Sequence, residues 1–529
     1  MVVPAIVPNR SAQAPAPYSD AVAARFPAPT LVYSTPGLQP NRTTFTTAEE
    51  LHAWLSDQAA ALARSAGIKA KVLDIGTSQQ GQPLQALVLT RGTGTDPAAL
   101  QATGRPTVLL IGQQHGDEPA SGEALLVIAR ELAQGLLQPT LERLNVVVVP
   151  RANPDGASQG THATANGVDM DHDHLLLSTP EAQALARLVR DYKPMVVLDA
   201  HEYNPVTPYQ EKFGAPQKFD ALFQYAMTPN LPEFLVKADE EWYRRPLLAA
   251  LKGQGLSAEW HYTTSGDVAD KKIAMGSPLP DSSRNANGLK NSISLLVETR
   301  GAGLDRLHLQ RRVHTQVTAI TSVLSSTGQR ANELGQLIPY LDKEVSSLAC
   351  KGQAVVEAAN TPAQYDLAML DPVTGADKLV TVDWDSALAL RTVKARARPC
   401  GYWLSAAAKT AVARLRSQGV QVLQVMEQSS LLGDLYRETA RNSSAQPASG
   451  SVASDRRPAV RVDVALTRGV IDAAAGSYYV PLKQPLGNLV TAALEPDAPA
   501  GYFAHGLLGS LESVARVMAE PSVSIEELP

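Results

Sequence analysis

The chain is poor in cysteine, in aromatic side chains and in long apolar segments. Only two of its 529 residues are cysteines, and 5% are aromatic. Two cysteines exclude a disulfide framework and a cysteine-rich metal site, although Cys350 and Cys400 could either pair in an exported protein or stay as buried thiols. No apolar run approaches the roughly 20 residues that a membrane-spanning helix needs, so the sequence predicts no membrane span.

The sequence also lacks an excess of positive charge. It has 47 lysine and arginine residues against 52 aspartate and glutamate residues, which gives a net charge of −5. Since no basic patch or nucleic-acid-binding motif occurs, we expect no nucleic-acid partner. A length of 529 residues exceeds what one hydrophobic core usually holds, so we expect two or three domains. The sequence gives no indication of the oligomeric state.

The N-terminal segment contains no visible signal peptide. Residues 1–29 are rich in proline and alanine, and prolines interrupt the only apolar stretch. The segment resembles the start of a mature exported chain whose leader has been removed. We therefore expect residues 1–45 to form an arm with little regular structure, and the protein to be periplasmic or secreted; a cytoplasmic location stays open.

Strands alternate with helices over residues 46–328, the predicted catalytic domain. Four apolar, largely β-branched runs are typical of buried central strands: 107–111, 144–150, 195–198 and 293–297. Helical spacing of apolar residues predicts helices at 46–66, 122–136, 180–192 and 307–324. This alternation predicts an α/β fold with a mixed, mainly parallel sheet and helices on both faces. The long segment 204–291 is expected to form the walls of a cleft above that sheet.

Residues 329–529 have a different character. A helix is predicted at 332–347, and short strands are predicted at 379–384 and 388–393. Segment 441–457 is rich in serine, alanine and proline, which is typical of a linker. We expect a smaller C-terminal α/β or β-rich accessory domain, and it carries no group of residues that indicates chemistry.

Three predicted strands end in side chains that suit a catalytic metal. His115 and Glu118 follow the first strand, His201 follows the third and Glu298 follows the fourth. Because the carboxyl ends of parallel strands meet at one edge of a sheet, we expect these side chains to lie close together. Two imidazoles and one carboxylate form a ligand set that zinc uses when it keeps a position open for water.

Two further features support a site at this sheet edge. The turn residues of Asn153-Pro154-Asp155-Gly156 follow the second strand and predict a rigid loop there. Asp169 could accept the proton on the second imidazole nitrogen of His115, the contact that fixes the tautomer of a metal ligand.

Taken in order, these motifs resemble those of the M14 zinc carboxypeptidases over about residues 45–330. The matching residues are Ile75 to Ser78, Gly81 to Leu84, His115 to Glu118, Asn153 to Gly156, Asp169 to His174, Asp199 to Glu202 and Val297 to Gly301. The resemblance implies that His115, Glu118 and His201 bind one Zn²⁺ per chain and that Glu298 is the general base. It implies a peptide or amide substrate.

The chain departs from the family where the terminal carboxylate of the substrate binds. Asp171 and His172 stand where the family has asparagine and arginine, and no arginine occurs between Gly156 and His174. His162 is the nearest candidate to replace the arginine that stabilises the oxyanion. At its reference pKa of about 6.5, His172 would be largely neutral at pH 7.

Three alternatives follow from this departure. The protein is a metallocarboxypeptidase in which Arg151, Arg284 or Arg300 supplies the missing charge, or a zinc amidohydrolase whose substrates lack a free C-terminal carboxylate. The third alternative is a non-catalytic binding relative. Zinc-dependent amide hydrolysis covers the first two, and the intact ligand set argues against the third.

Three features of the sequence have competing interpretations. The run from Asp171 to His174 could bind a second metal or form a solvated loop. Tyr262 could close over the substrate or pack as an ordinary aromatic residue. Glu298 could form an ion pair with Arg300 instead of acting as a base, because residues two apart on a strand share a face.

Overall fold

The computed structural model describes residues 17–64, 67–442 and 459–528. The strands, in chain order, are β1 Lys69–Thr77, β2 Pro83–Thr90, β3 Thr107–Gly112, β4 Asn145–Val149, β5 Val196–Tyr203, β6 Ala221–Tyr225, β7 Ala258–Trp260, β8 Lys272–Ala274, β9 Ile293–Arg300, β10 Gln353–Leu370, β11 Asp377–Ala397, β12 Gly401–Leu404, β13 Leu423–Val425, β14 Ser429–Asn442, β15 Arg461–Ala473, β16 Tyr478–Pro481, β17 Val514–Val517 and β18 Ile525–Glu527.

The α-helices lie between these strands and at the N-terminus. They are α1 Asp20–Ala23, α2 Ala48–Ala63, α3 Pro97–Ala102, α4 Pro119–Gln134, α5 Pro154–Gln159, α6 Pro180–Tyr192, α7 Tyr209–Phe213, α8 Glu233–Ala238, α9 Arg245–Gly253, α10 Ser283–Gly288, α11 Leu309–Gln329, α12 Ala331–Ser347, α13 Lys409–Gln418 and α14 Gly487–Leu494. In the part of the chain that the structure describes, no helix has both the length and the apolar character needed to cross a membrane.

The four apolar runs predicted as central strands form the middle of an eight-stranded sheet. The strand order is β1-β2-β4-β3-β5-β9-β6-β7. Strands β4, β3, β5 and β9 run parallel to one another, and antiparallel partners flank them on both sides. The prediction of a mixed, mainly parallel sheet is confirmed.

Helices cover both faces of this sheet. On one face, Leu110 of β3 belongs to a core that also contains residues of α2, α4 and α11. On the other face, Leu109 and Ile111 pack with Leu185 of α6. Successive residues of a strand point to opposite faces, so an entirely apolar strand such as β3 can fill two cores at once.

The helix starts follow local capping rules. At α6, the hydroxyl of Thr179 accepts the backbone N–H of Ala182, and Pro180 occupies the first helical position, as predicted. At α2, Thr47 and Glu50 form a reciprocal capping box, one residue later than the predicted start.

Two strands of the site are longer than predicted. The runs 195–198 and 293–297 were expected to end there, but β5 continues to Tyr203 and β9 to Arg300. The two strands pair in parallel along eight residues, with His201 beside Glu298. The pairing between β5 and β9 continues along the polar ends of both strands. His201 and Glu298 therefore lie within rigid strands rather than in loops.

The C-terminal part is built mainly of antiparallel strands, as the prediction of a β-rich domain allowed. A seven-stranded sheet has the order β15-β14-β17-β12-β16-β13-β18. The predicted linker 441–457 begins at the end of β14, and most of it lies outside the described residues. The same holds for residues 1–16 of the predicted N-terminal arm.

One prediction for this part is wrong. The segments 379–384 and 388–393 are not separate strands but parts of the single strand β11, which pairs with β10 in a long hairpin. The pairing shifts register between Ala359 and Thr361, so extra residues of β11 bulge out without ending the strand.

The β10–β11 hairpin reaches back onto the predicted catalytic domain. Strand β11 pairs in parallel with β8, and Trp384 packs against Tyr262. Leu367 and Val382 of the hairpin belong to the same hydrophobic core as the large sheet. The division of the chain at 45 and 328 stays a prediction, because this core crosses the second boundary.

Cys350 and Cys400 form a disulfide bond. The structure therefore agrees with the alternative in which the two cysteines pair, and not with the one in which they stay as buried thiols. The bond joins the segment after α12 to the start of β12 and so closes the base of the β10–β11 hairpin.

Candidate active site

The three predicted metal ligands converge at the carboxyl edge of the large sheet. His115 lies in the loop after β3, Glu118 is the residue before α4, and His201 lies in β5. His115 Nδ1 is 2.8 Å from Glu118 Oε1, His201 Nδ1 is 3.0 Å from Glu118 Oε2, and the two Nδ1 atoms are 3.1 Å apart. All three side chains are buried.

This arrangement fits a zinc ion. With zinc–ligand bonds of about 2.0–2.1 Å, tetrahedral ligands lie roughly 3.3 Å from one another, close to the observed separations. Two imidazole nitrogens facing each other at 3.1 Å also need a proton or a cation between them. The residue types and their spacing therefore suit a two-histidine, one-glutamate metal site.

A carboxylate contacts the Nε2 atom of each histidine ligand, on the side of the ring away from the metal position. His115 Nε2 is 3.0 Å from Asp169 Oδ1, and His201 Nε2 is 3.0 Å from Asp199 Oδ1. The side-chain amide of Gln114 donates to the other oxygen of Asp199 at 2.5 Å. These contacts leave each Nδ1 free to face the metal position, which is the orientation a ligating histidine requires.

The neighbouring carboxylates favour protonated imidazoles. Burial opposes the charge on His115, but Glu118 and Asp169 outweigh it and raise the pKa of His115 well above its usual value. Burial likewise opposes ionisation of Glu118, yet His115 and His201 hold its pKa well below the usual range. Metal binding must therefore displace protons from this cluster.

The loop Asn153–Gly156 supports the metal loop through close backbone packing. The side chain of Asn153 accepts the backbone N–H of Gly156 at 2.9 Å. A Cβ atom at Gly116 would lie 1.9 Å from the carbonyl carbon of Gly156. Glycine at position 116 thus lets the His115 loop sit directly on the predicted turn.

Glu298 lies beside His201 on the neighbouring strand and contacts a histidine that the sequence did not reveal. His261 Nε2 is 3.2 Å from Glu298 Oε1, and His261 Nδ1 is 3.1 Å from Gln224 Oε1. Burial raises the pKa of Glu298, but His261 and His201 outweigh it, so the pKa is lowered. Glu298 is therefore held as a carboxylate that can accept a proton.

Arg300 has partners other than Glu298, unlike in the alternative in which the two form an ion pair. Its guanidinium donates to the backbone carbonyls of Gln217 and Phe219 and stacks 3.4 Å from the ring centre of Phe26. The side-chain partner of Glu298 is His261 instead.

His162 lies against the metal ligands. Its ring stacks on His115 with 3.6 Å between ring centres, and its Nδ1 is 3.2 Å from Asp117 Oδ1. His162 thus lies directly beside the proposed metal ligand His115. Its role in stabilising the oxyanion stays a prediction.

The side chains of the run from Asp171 to His174 contact different residues. The Asp171 carboxylate accepts the backbone N–H of Ser283, His172 faces Asp281, Asp173 accepts Ser178 and Thr179 at the start of α6, and His174 contacts Gln114. Asp171 also lies with Asp199 and His201 in a group whose ligand atoms are close enough to hold a metal ion, so a second metal at this run stays a prediction.

His172 carries more charge than its reference pKa indicates. Its Nδ1 is 3.5 Å from Asp281 Oδ1. Burial favours the neutral imidazole, but the carboxylates of Asp281 and Asp169 outweigh it and raise the pKa of His172 to about 9. The expectation of a neutral His172 at pH 7 is wrong, because Asp281, far away in the sequence, was not foreseeable as its partner.

Asp171 remains anionic next to this cation. Burial raises its pKa, but His201 and His172 outweigh burial and lower the pKa of Asp171 to about 2. The segment that replaces the family's asparagine and arginine thus carries one negative and one positive charge.

Of the three arginines considered as substitutes, only Arg284 lies among the site's carboxylates. Arg151 donates to Gln113 Oε1 and to the Thr46 carbonyl. Arg284 instead is buried and is attracted by Asp171 and Glu298.

Tyr262 is buried between other aromatic residues. Its ring centre is 5.8 Å from that of Tyr209 and 5.7 Å from that of Trp384. This environment favours the packed-aromatic interpretation, and a contact of Tyr262 with substrate stays a prediction.

Comparison with known proteins agrees with this geometry. The family model for zinc carboxypeptidase, Peptidase M14, matches residues 55–175. Carboxypeptidase 2 of Trichophyton rubrum is 25% identical over 407 residues, which cover 76% of this chain and 74% of that protein. Carboxypeptidase D of Homo sapiens is 39% identical over 238 residues, or 36% of this chain and 17% of that protein. Within residues 55–175 the chain matches the M14 zinc carboxypeptidase family.

Solved structures with partial similarity include a metallo-carboxypeptidase from Burkholderia cenocepacia. It has a TM-score of 0.39 and 17% identity, and the match covers 54% of this chain and 70% of that chain. Bovine thrombin-activatable fibrinolysis inhibitor has a TM-score of 0.40 and 13% identity, with 54% of this chain and 99% of that chain covered.

Proposed function

We propose that this protein removes the C-terminal residue of a peptide or related amide, with one Zn²⁺ per chain held by His115, Glu118 and His201. The match to the zinc carboxypeptidase model and the similarity to Carboxypeptidase 2 support a metallocarboxypeptidase, a zinc hydrolase. The observation that carries the proposal is the convergence of three ligand side chains, each pair of which has donor atoms within 3.1 Å, with Glu298 on the adjacent strand.

The side chains of the site suit amide hydrolysis. A bound zinc ion would polarise the scissile carbonyl and make a water molecule more acidic. Glu298 takes one proton from the attacking water and delivers it to the leaving amine as the carbon–nitrogen bond breaks. His261 holds one oxygen of Glu298, which leaves the second oxygen to meet the water.

A zinc amidohydrolase acting on substrates without a free C-terminal carboxylate is the second candidate. The negative charge of Asp171, whose pKa is about 2, favours it because like charges repel in a buried site. The cations His172 and Arg284 favour the carboxypeptidase instead. Cleavage of matched peptides with free and amidated C-termini separates the two.

Replacement of the base tests hydrolysis directly. Glu298→Gln removes the proton acceptor but none of the proposed ligands, so zinc content should stay near one ion per chain. Turnover should fall by about 10²–10⁴-fold. Metal analysis and single-substrate kinetics on the two purified proteins measure both quantities. Activity close to that of the unchanged protein would contradict the role of Glu298, and absence of bound zinc in both would contradict the site.

We also propose that the protein is periplasmic or secreted. The Cys350–Cys400 disulfide supports this, since such bonds persist in oxidising compartments and are rare in the cytosol. Thiol alkylation of protein taken directly from cell fractions, followed by mass spectrometry, should find both cysteines blocked in the exported fraction. Free thiols in a cytosolic fraction would contradict it.

A further inference from the structure

We propose that Arg284 binds a carboxylate of the substrate's C-terminal residue and so takes over the task of the arginines that this chain lacks. The inference rests on the proposed function and names the specificity-determining residue of that site. The carboxylate is either the terminal α-carboxylate or an acidic side chain of that residue.

Arg284 is held in a fixed position. It lies on the short helix α10, where the backbone N–H of the preceding Ser283 donates to Asp171 Oδ1 at 3.0 Å. The following residue, Asn285, donates its side-chain amide to the carbonyls of Ser277 and Leu279 at 3.0 and 2.7 Å. Both neighbours of Arg284 are thus tied to the walls of the cleft, which limits the loss of entropy when a ligand binds.

The guanidinium of Arg284 does not use all of its N–H groups in hydrogen bonds within the described part of the chain. The residue is only 4% exposed, yet its Nη2 reaches the Ser277 carbonyl at 3.5 Å, the outer limit of a hydrogen bond. Among the described residues, no acceptor lies within hydrogen-bonding distance of its Nε. A buried arginine normally satisfies most of its five N–H groups, because each unsatisfied buried donor costs about 1–3 kcal/mol.

Close backbone packing brings this guanidinium to the catalytic side of the cleft. Gly276 has a φ of +54°, and a Cβ atom there would lie 2.5 Å from Arg284 Nη2 and 3.2 Å from His261 Nδ1. His261 in turn contacts Glu298. A substrate residue bound by Arg284 would therefore sit near the base.

The chemistry of an unsatisfied guanidinium selects a carboxylate. Its planar fork matches two carboxylate oxygens, and the pair is strengthened where water is excluded. Asp171 and Glu298 attract the cation but form no hydrogen bond with it in the described part of the chain. Arg300 also has an Nε and an Nη2 without a hydrogen-bond partner among the described residues, but its Nη1 donates to three carbonyls and its guanidinium stacks on Phe26.

Four substrates measure the preference of the zinc-loaded protein. They are benzoyl-glycyl-phenylalanine and its C-terminal amide, and benzoyl-glycyl-glutamate and benzoyl-glycyl-glutamine. The first pair differs in the α-carboxylate, and the second pair differs in a side-chain carboxylate. We expect kcat/KM to favour the carboxylate by about 100-fold in at least one pair.

Variants then assign that preference to Arg284. Arg284→Lys keeps the charge but loses the fork, so the preference should fall about 10-fold, mainly through a higher KM. Arg284→Gln should abolish the preference. Arg300→Lys is the matched control, a buried arginine with other partners, and it should leave the preference unchanged.

The outcomes separate this inference from the proposed function. Hydrolysis of all four substrates without preference, or a preference that is undiminished in Arg284→Lys and Arg284→Gln, overturns the role of Arg284 and leaves zinc-dependent hydrolysis intact. Equal losses of preference in Arg284→Lys and Arg300→Lys also overturn it. No hydrolysis of any of the four overturns the proposed function and this inference with it.

Discussion

The metal-binding residues and the segment 171–174 lie side by side but differ in how far local sequence determines their character. His115 and Glu118 are three residues apart, and their roles follow from that spacing and from the strand before them. Asp171 and His172 instead take their partners, Ser283 and Asp281, from residues more than 100 positions away. In the catalytic half of the site the pair His115 and Glu118 is therefore set by a local motif, whereas the charges of the substrate half are set by tertiary contacts.

The largest effect is expected at Asp169, whose carboxylate contacts the metal ligand His115. Asp169→Asn removes the charge that orients His115 at 3.0 Å, and zinc affinity should fall about 10- to 100-fold. Competition with a metal-binding dye measures the affinity.

The matched control for that experiment is Asp117→Asn. Asp117 is two residues from His115 but contacts His162 instead, so zinc affinity should stay within about 3-fold. If both variants lose zinc equally, the orientation of His115 by Asp169 is not what matters.

A smaller effect is expected at His261, which joins the two halves. His261→Ala frees Glu298 Oε1 and should lower kcat about 10-fold with little change in KM or zinc content, since it removes positioning and no metal ligand. His261→Gln can still donate to Glu298 and should recover part of the loss. A KM effect alone would place His261 in substrate binding instead.

The smallest effect concerns pH and His172. With its pKa raised to about 9, His172 is a cation at neutral pH and loses its charge as the pH rises through about 9. Activity on substrates with a free carboxylate should therefore fall above about pH 9, and His172→Arg should remove that decline. Rates on amidated substrates provide the control. A decline of equal size on both substrate types would show that another group titrates.

The fold was largely predictable because its central strands are encoded locally. The order of the apolar runs and helices predicted the α/β sheet, and the strand ends placed His201 and Glu298 at one edge. The strand lengths were underestimated, since pairing between β5 and β9 extends both past their apolar runs. Two separate strands were predicted within β11 because its bulge resembles a break.

The substrate side could not be predicted in the same way. His261 and Arg284 both come from the segment 204–291, which was expected to form cleft walls but carries no spacing that points to the metal. Gly276, with its positive φ, brings the two side chains together, and that contact exists only in the folded chain. The charge of His172 likewise depends on Asp281, so a reference pKa gives the wrong state.

Anomalous X-ray diffraction at the zinc edge, on crystals of metal-loaded protein, tests the central claim most directly. The account predicts one strong peak per chain, about 2.0–2.2 Å from His115 Nδ1, His201 Nδ1 and the Glu118 carboxylate. No peak at this position, or a peak bound by other residues, would contradict it.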